Sequence, residues 1–149
     1  MKTEISEKVN NLIEKNYDAY KGYRKAAEDA ESMNLRSYLI EQAENRKEFA
    51  QELARVLLVV DPDFKVATEG SITGSIHRGW IDIKAAVAGK NDEAILKECI
   101  RGDKASIAEY EEFLDNNRAV MPQISSTIQQ QLAEIRKTLD TVSRLEDIK

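Results

Sequence analysis

At 149 residues the chain is the size of one domain, long enough to bury a core without staples, and its single cysteine cannot form an internal disulfide. Charged residues make up 33% and the hydrophobic set 42%, with only two prolines and six glycines, a balance that favours long helices over sheet or disorder. The 22 Lys and Arg against 27 Asp and Glu leave a net charge of -5, which argues against a nucleic-acid partner, and the longest apolar run, Val56 to Val60, is far short of the roughly 20 residues that span a bilayer.

The first segment, MKTEISEKVNN, lacks the apolar stretch of a signal peptide, so the expected location is the cytoplasm. From about Thr3 to Ser32, Ile5, Val9, Leu12, Ile13, Tyr20, Tyr23, Ala27 and Ala30 recur three or four apart, the spacing of one helical face. Asn34 is a suitable N-cap for a second helix to about Val60, with a seam of Leu35, Leu39, Ala43, Phe49, Ala50, Leu53, Val56, Leu57 and Val60. The short connection predicts an antiparallel hairpin. Asp61-Pro62-Asp63 stops the second helix, and a polar loop is expected to Gly70.

Ser71 or Ser75 can cap a shorter helix whose stripe is Ile72, Ile76, Trp80, Ile83 and Val87, ended by Gly89. A further long helix starts at Asn91 or Asp92, carries Ile95, Cys99, Gly102, Ser106, Tyr110 and Phe113, and fades near Asn116 and Asn117. After a turn at Met121-Pro122, the last helix runs to about Asp147 through Ile124, Ile128, Leu132, Ile135, Leu139, Val142 and Leu145. Two antiparallel hairpins joined by one long crossover form the ferritin-like arrangement, and residues 61–90 are long enough to be that crossover. The predicted fold is a single all-α domain, a ferritin-like four-helix bundle with a helical crossover between the second and third long helices. A plain up-and-down bundle of five helices is the alternative.

The run GSIHRGWIDIKAAVAGKNDEAILKECIRGDKASIAEY, from Gly74 to Tyr110, resembles a bacterial family, as do GYRKAAEDAES from Gly22 and RKEFAQEL from Arg46. It is similar to domain of unknown function 2383, a group of ferritin-like four-helix bundles, over nearly the whole chain. The chain departs from that pattern at Tyr20, where a glutamate is usual. The resemblance implies a fold, no established reaction, and no catalytic residues to carry over.

A ferritin-like di-iron site takes a glutamate from each of two helices and a Glu-x-x-His pair from each of the other two. This chain has one histidine, His77, and the positions analogous to the second-helix pair are Arg46 and Phe49. No catalytic residue, metal ligand or cofactor is therefore expected, and Glu41 and Glu44 read as part of a solvated face. Asn16, Tyr20, Arg46, Glu98, Glu109 and Gln131 fall near helix midpoints on or beside apolar seams, which suggests a buried network of Arg46 with a carboxylate where relatives hold a metal. Arg46 snorkelling to the bundle edge is the open alternative. His77 and Trp80, three apart, are expected to pack as structural residues of the crossover, and Cys99 as a small core residue.

Three functional classes follow: a non-catalytic bundle acting by self-association or through a partner, a carboxylate-based metal-binding or oxidase-like enzyme, and a binding module for an apolar ligand. The first is favoured, with a stress-associated role as in some ferritin-like proteins. Tyr17, Tyr20 and Tyr23 span most of a helical wheel, and Tyr38, Leu39 and Ile40 are consecutive, so some of these side chains are expected to point away from the core and support a homodimer.

Overall fold

The computed structural model describes residues 2–69, 91–117 and 122–148, and its regular elements are helical. Helix α1 is Lys2–Asp29, α2 is Met33–Val60, α3 is Asp92–Asn116 and α4 is Pro122–Thr141. The helix expected from Ser71 or Ser75 to Gly89, with His77 and Trp80, lies outside the described residues.

Local chemistry accounts for most of the helix ends. Ser32 caps α2 by accepting a hydrogen bond from the Leu35 amide at 3.2 Å, so the cap falls two residues before the expected Asn34, which sits inside the first turn. Asn91 caps α3 in the same way, accepting from the Ala94 amide at 3.1 Å. Pro122 opens α4, where a missing amide hydrogen is harmless. The last helix ends at Thr141 and not near Asp147. Asp147 captures the Ser143 amide at 2.9 Å and the Arg144 amide at 3.3 Å, hydrogen bonds that compete with continued helix, and a single 3-10 turn, Leu145–Asp147, follows.

The helices form a four-membered ring in which α1 packs on α2 and α3, and α4 packs on α3 and α2. The three residues between α1 and α2 make them antiparallel, as the sequence implies. Contacts from Asp92 with the Glu31 and Ser32 amides to Lys8 with Asn117 run α3 antiparallel to α1. Gln131 meets Phe49 and Glu52, whereas Thr138 lies near Gln42, so α4 is antiparallel to α2. It follows that α2 and α3 are parallel diagonal neighbours. Asp61, held by the Ser6 hydroxyl at 2.6 Å, and Asn91 thus stand at opposite ends of the bundle.

The start of that connection differs from the expected polar loop. Phe64 and Val66 pack on the core, Ala67 is buried, and the Ala67 amide donates to Asn10 of α1 at 2.7 Å while Glu69 pairs with Lys47 of α2 at 3.1 Å. The strap lies over the α1–α2 pair. A second expectation is that Tyr17, Tyr20 and Tyr23 cannot all face one core. They are 6%, 4% and 1% exposed. Asn16, Tyr17, Asp18, Ala19 and Tyr20 are all buried, and at about 100° per residue these five positions take in every side of α1. Around its middle the helix is covered on every side, so these tyrosines give no reason for a dimer. On α2 the expected split is present: Leu39 is buried and Ile40 is half-exposed.

The Asp92 carboxylate holds two backbone amides of the α1–α2 turn, at 2.8 and 2.9 Å, against the first residue of α3. Replacing Asp92 by Ala should lower the urea-unfolding free energy by about 1–2 kcal/mol, since both amides then depend on water. An unchanged midpoint would mean that the turn is held by its own caps alone.

Candidate functional site

The buried seam of α2 is apolar except at Arg46: Leu35, Leu39, Ala43, Arg46, Phe49, Ala50, Leu53 and Leu57. Helical spacing thus aims a guanidinium at the middle of the ring, where it is 3% exposed. The snorkelling alternative is not what the chain adopts. A buried charge is tolerable only with acceptors around it. Arg46 Nε donates to Asn16 Oδ1 of α1 at 3.0 Å, Nη2 donates to the Ser106 hydroxyl of α3, and Nη1 faces Asp103 Oδ1 of α3 at 3.6 Å. Asp103 Oδ2 in turn accepts from the Tyr23 hydroxyl at 2.5 Å.

The network continues to α4. Asn16 Nδ2 donates to the Leu12 carbonyl at 2.9 Å and to the Tyr110 hydroxyl at 2.8 Å, which leaves its oxygen for Arg46 and sets the amide orientation. Tyr110 donates to Gln131 Oε1 at 2.6 Å, and Gln131 Nε2 donates to Glu52 at 2.8 Å and to the Phe49 carbonyl at 3.2 Å. A run of donors therefore leads from the guanidinium through Asn16, Tyr110 and Gln131 to the half-buried carboxylate of Glu52. Every helix of the ring contributes.

Of the residues expected in this network, the structure brings together Asn16, Arg46 and Gln131. The other three lie elsewhere. Tyr20 is buried, but its hydroxyl accepts from Arg24 at 2.9 Å, and its ring lies 5.2 Å from the Lys47 ammonium. Glu98 pairs with Arg101 at 2.7 Å, and Glu109 pairs with Lys15; all four side chains are partly exposed, because these glutamates sit at the edges of the α3 seam. The carboxylate that meets Arg46 is Asp103, with Ser106, Tyr110 and Tyr23 as further members that sequence reading assigns to apolar stripes or leaves out. A signal for it exists: Asp103 follows Cys99 by four residues and precedes Ser106 by three, so it lies on the buried stripe itself.

Burial governs the titration of these groups. It raises the Asp103 carboxyl above the usual carboxylate value, against the opposing pull of Arg46 and the Tyr23 hydroxyl. It also raises Tyr23 strongly, pushes Tyr110 up to about 12, and lifts the Cys99 thiol well above its ordinary value. The two phenols stay protonated at neutral pH and serve as hydrogen-bond donors, and Cys99 stays an unreactive thiol. Among the described residues no three His, Cys, Asp or Glu side chains converge as a metal-binding group.

The sign of the pH dependence follows. Because the folded Asp103 value is raised, the stability tied to its protonated form is complete below the ordinary 3.8 and is lost as pH climbs through the folded value. Removing the Arg46 cation deepens that loss. Arg46→Met should cost on the order of 3–5 kcal/mol at pH 7, by stranding a buried carboxylate, and less near pH 4, where Asp103 takes up a proton. Urea titrations of both chains across pH 4–7 measure this, and a pH-independent difference would show that Asp103 does not report on Arg46.

No curated protein matches the chain. A family model does, over residues 4–116, a span that holds α1, α2 and α3 and hence every member of the network but Gln131. The chain belongs to the family described as domain of unknown function 2383.

Proposed function

We propose that the chain is a non-catalytic, ferritin-like bundle whose centre is an arginine network in place of metal ligands, and that it acts by self-association or by binding a partner. The buried guanidinium of Arg46 is the observation that carries this reading. The parallel α2 and α3, with Asp61 and Asn91 at opposite ends of the bundle, agree with ferritin-like topology, in which a di-iron centre takes four glutamates and two histidines from inward positions. Here the inward polar positions hold Asn16, Arg46, Asp103, Ser106, Tyr110 and Gln131. Asp103 is the one carboxylate in that set, engaged by Tyr23 and faced by a cation; Asp18, the other buried aspartate among the described residues, lies about 200° round α1 from Asn16. A divalent ion would sit beside a fixed guanidinium, so these residues do not fit a metal pair. Glu41 and Glu44, the candidates for a carboxylate-only site, are exposed on α2.

Elemental analysis of protein purified without chelators should find less than about a tenth of an equivalent of iron, manganese or zinc. A stoichiometric metal that survives dialysis and is lost in Asp103→Asn would replace this reading with the carboxylate-based one. Self-association is supported by the outer side of α2, where Ile40, Leu58 and Val59 are 50%, 37% and 72% exposed. Two-fold pairing is the commonest way for a chain to bury such groups. Sedimentation equilibrium at tens of micromolar should give a mass near twice 16.9 kDa, reduced to the monomer by combining Ile40→Glu with Val59→Glu. A wild-type chain that is monomeric throughout would leave partner binding as the remaining mode.

A further inference from the structure

Two polar atoms at the centre of the bundle face one another as an ion pair, too far apart for a hydrogen bond. Arg46 Nη1 and Asp103 Oδ1 stand 3.6 Å apart, neither with a hydrogen-bond partner, although the two side chains are 3% and 5% exposed. Buried charged groups left in that condition are costly, and each such atom calls for an occupant. Arg46 and Asp103 both line a cavity of about 20 Å³, which Gln42 and Asn45 line from α2 and Glu134 and Thr138 from α4. A single oxygen needs about 10–15 Å³, so the cavity takes one, either a free molecule or one end of a larger one whose remainder stays outside.

The chemistry of the two atoms selects the occupant. Arg46 Nη1 can only donate and an ionised Asp103 can only accept. An ammonium ion has nothing to offer the guanidinium, and a halide has nothing to offer the carboxylate. A hydroxyl oxygen satisfies both. We propose that this cavity is a binding site for one hydroxyl oxygen, which accepts from Arg46 Nη1 and donates to Asp103 Oδ1. Its source is water, or one hydroxyl of a small polyol whose remaining hydroxyls meet the amides of Gln42 and Asn45. The site is independent of the non-catalytic reading, since it requires only the geometry of Arg46 and Asp103.

The test uses the full chain, labelled with nitrogen-15, and follows the Arg46 guanidinium and Asn45 amide resonances at low temperature. If water is the occupant, the Arg46 Nη protons show a nuclear Overhauser effect to water that persists on addition of glycerol, with no shift of the Asn45 amide. If a polyol hydroxyl competes for the site, glycerol shifts both sets of resonances with saturation and abolishes the water signal. Either result supports a hydroxyl site. Guanidinium protons with neither a water signal nor a glycerol response would overturn it. So would a crystal structure that places Arg46 Nη1 directly on Asp103 Oδ1, within about 3.2 Å, with no oxygen between them.

Discussion

The buried charge of Arg46 is the constraint on which the arrangement of the helices depends. Its partners come from two other helices, the acceptor Asn16 from α1 and the acceptor Ser106 and the facing carboxylate of Asp103 from α3, so the guanidinium fixes the register of three helices at one point. Apolar seams tolerate sliding because one leucine contact resembles the next, whereas a shift of one residue turns a helix by about 100° and takes a required acceptor away. Tyr110 and Gln131 extend the same requirement to α4. A single residue thereby distinguishes one packing of the bundle from its near alternatives.

The polar layer lies between apolar ones. Along α2 it is preceded by Leu35, Leu39 and Ala43 and followed by Leu53 and Leu57; along α3 it is preceded by Ile95, Leu96 and Cys99 and followed by Phe113. Those layers lower the local dielectric, which strengthens each hydrogen bond between them and makes any unmade one expensive. The direction of the donors also matters. From Arg46 through Asn16, Tyr110 and Gln131 they point toward Glu52, so the cation is connected to a carboxylate nearer the surface as well as to Asp103. The centre thus holds a charge whose field is spread over four helices. Neutral amides and phenols serve here as links, and burial keeps the phenols protonated for that task.

Enclosure of α1 is the second structural decision. A helix in a four-membered ring would ordinarily leave about half of its surface to solvent. The strap of residues 64–69, which binds Asn10 of α1 through the Ala67 amide and reaches Lys47 of α2 through Glu69, adds cover on the outer side. Tyr17, Tyr20 and Tyr23 of α1 are all buried, Tyr23 by facing Asp103 in the core, whereas the large apolar groups exposed among the described residues, Met33, Ile40, Leu58 and Val59, are on α2.

The number, order and approximate limits of the four helices, and the polar positions Asn16, Arg46 and Gln131 on otherwise apolar seams, were legible in the sequence. Helix spacing and caps act over three or four residues, so the chain carries them locally. The hairpin geometry was legible for the same reason, since a connection of three residues admits only an antiparallel pair. The identity of the carboxylate was not: whether Asp103, Glu98 or Glu109 faces Arg46 depends on how far α3 is advanced and rotated relative to α2, and residues five or six positions apart differ by about one and a half helical turns. The packing chose the aspartate on the buried stripe and left the glutamates to Arg101 and Lys15. The docking of residues 64–69 on Asn10 and Lys47 was equally invisible, because a helical wheel records the direction of a side chain and not which distant segment comes to lie over it.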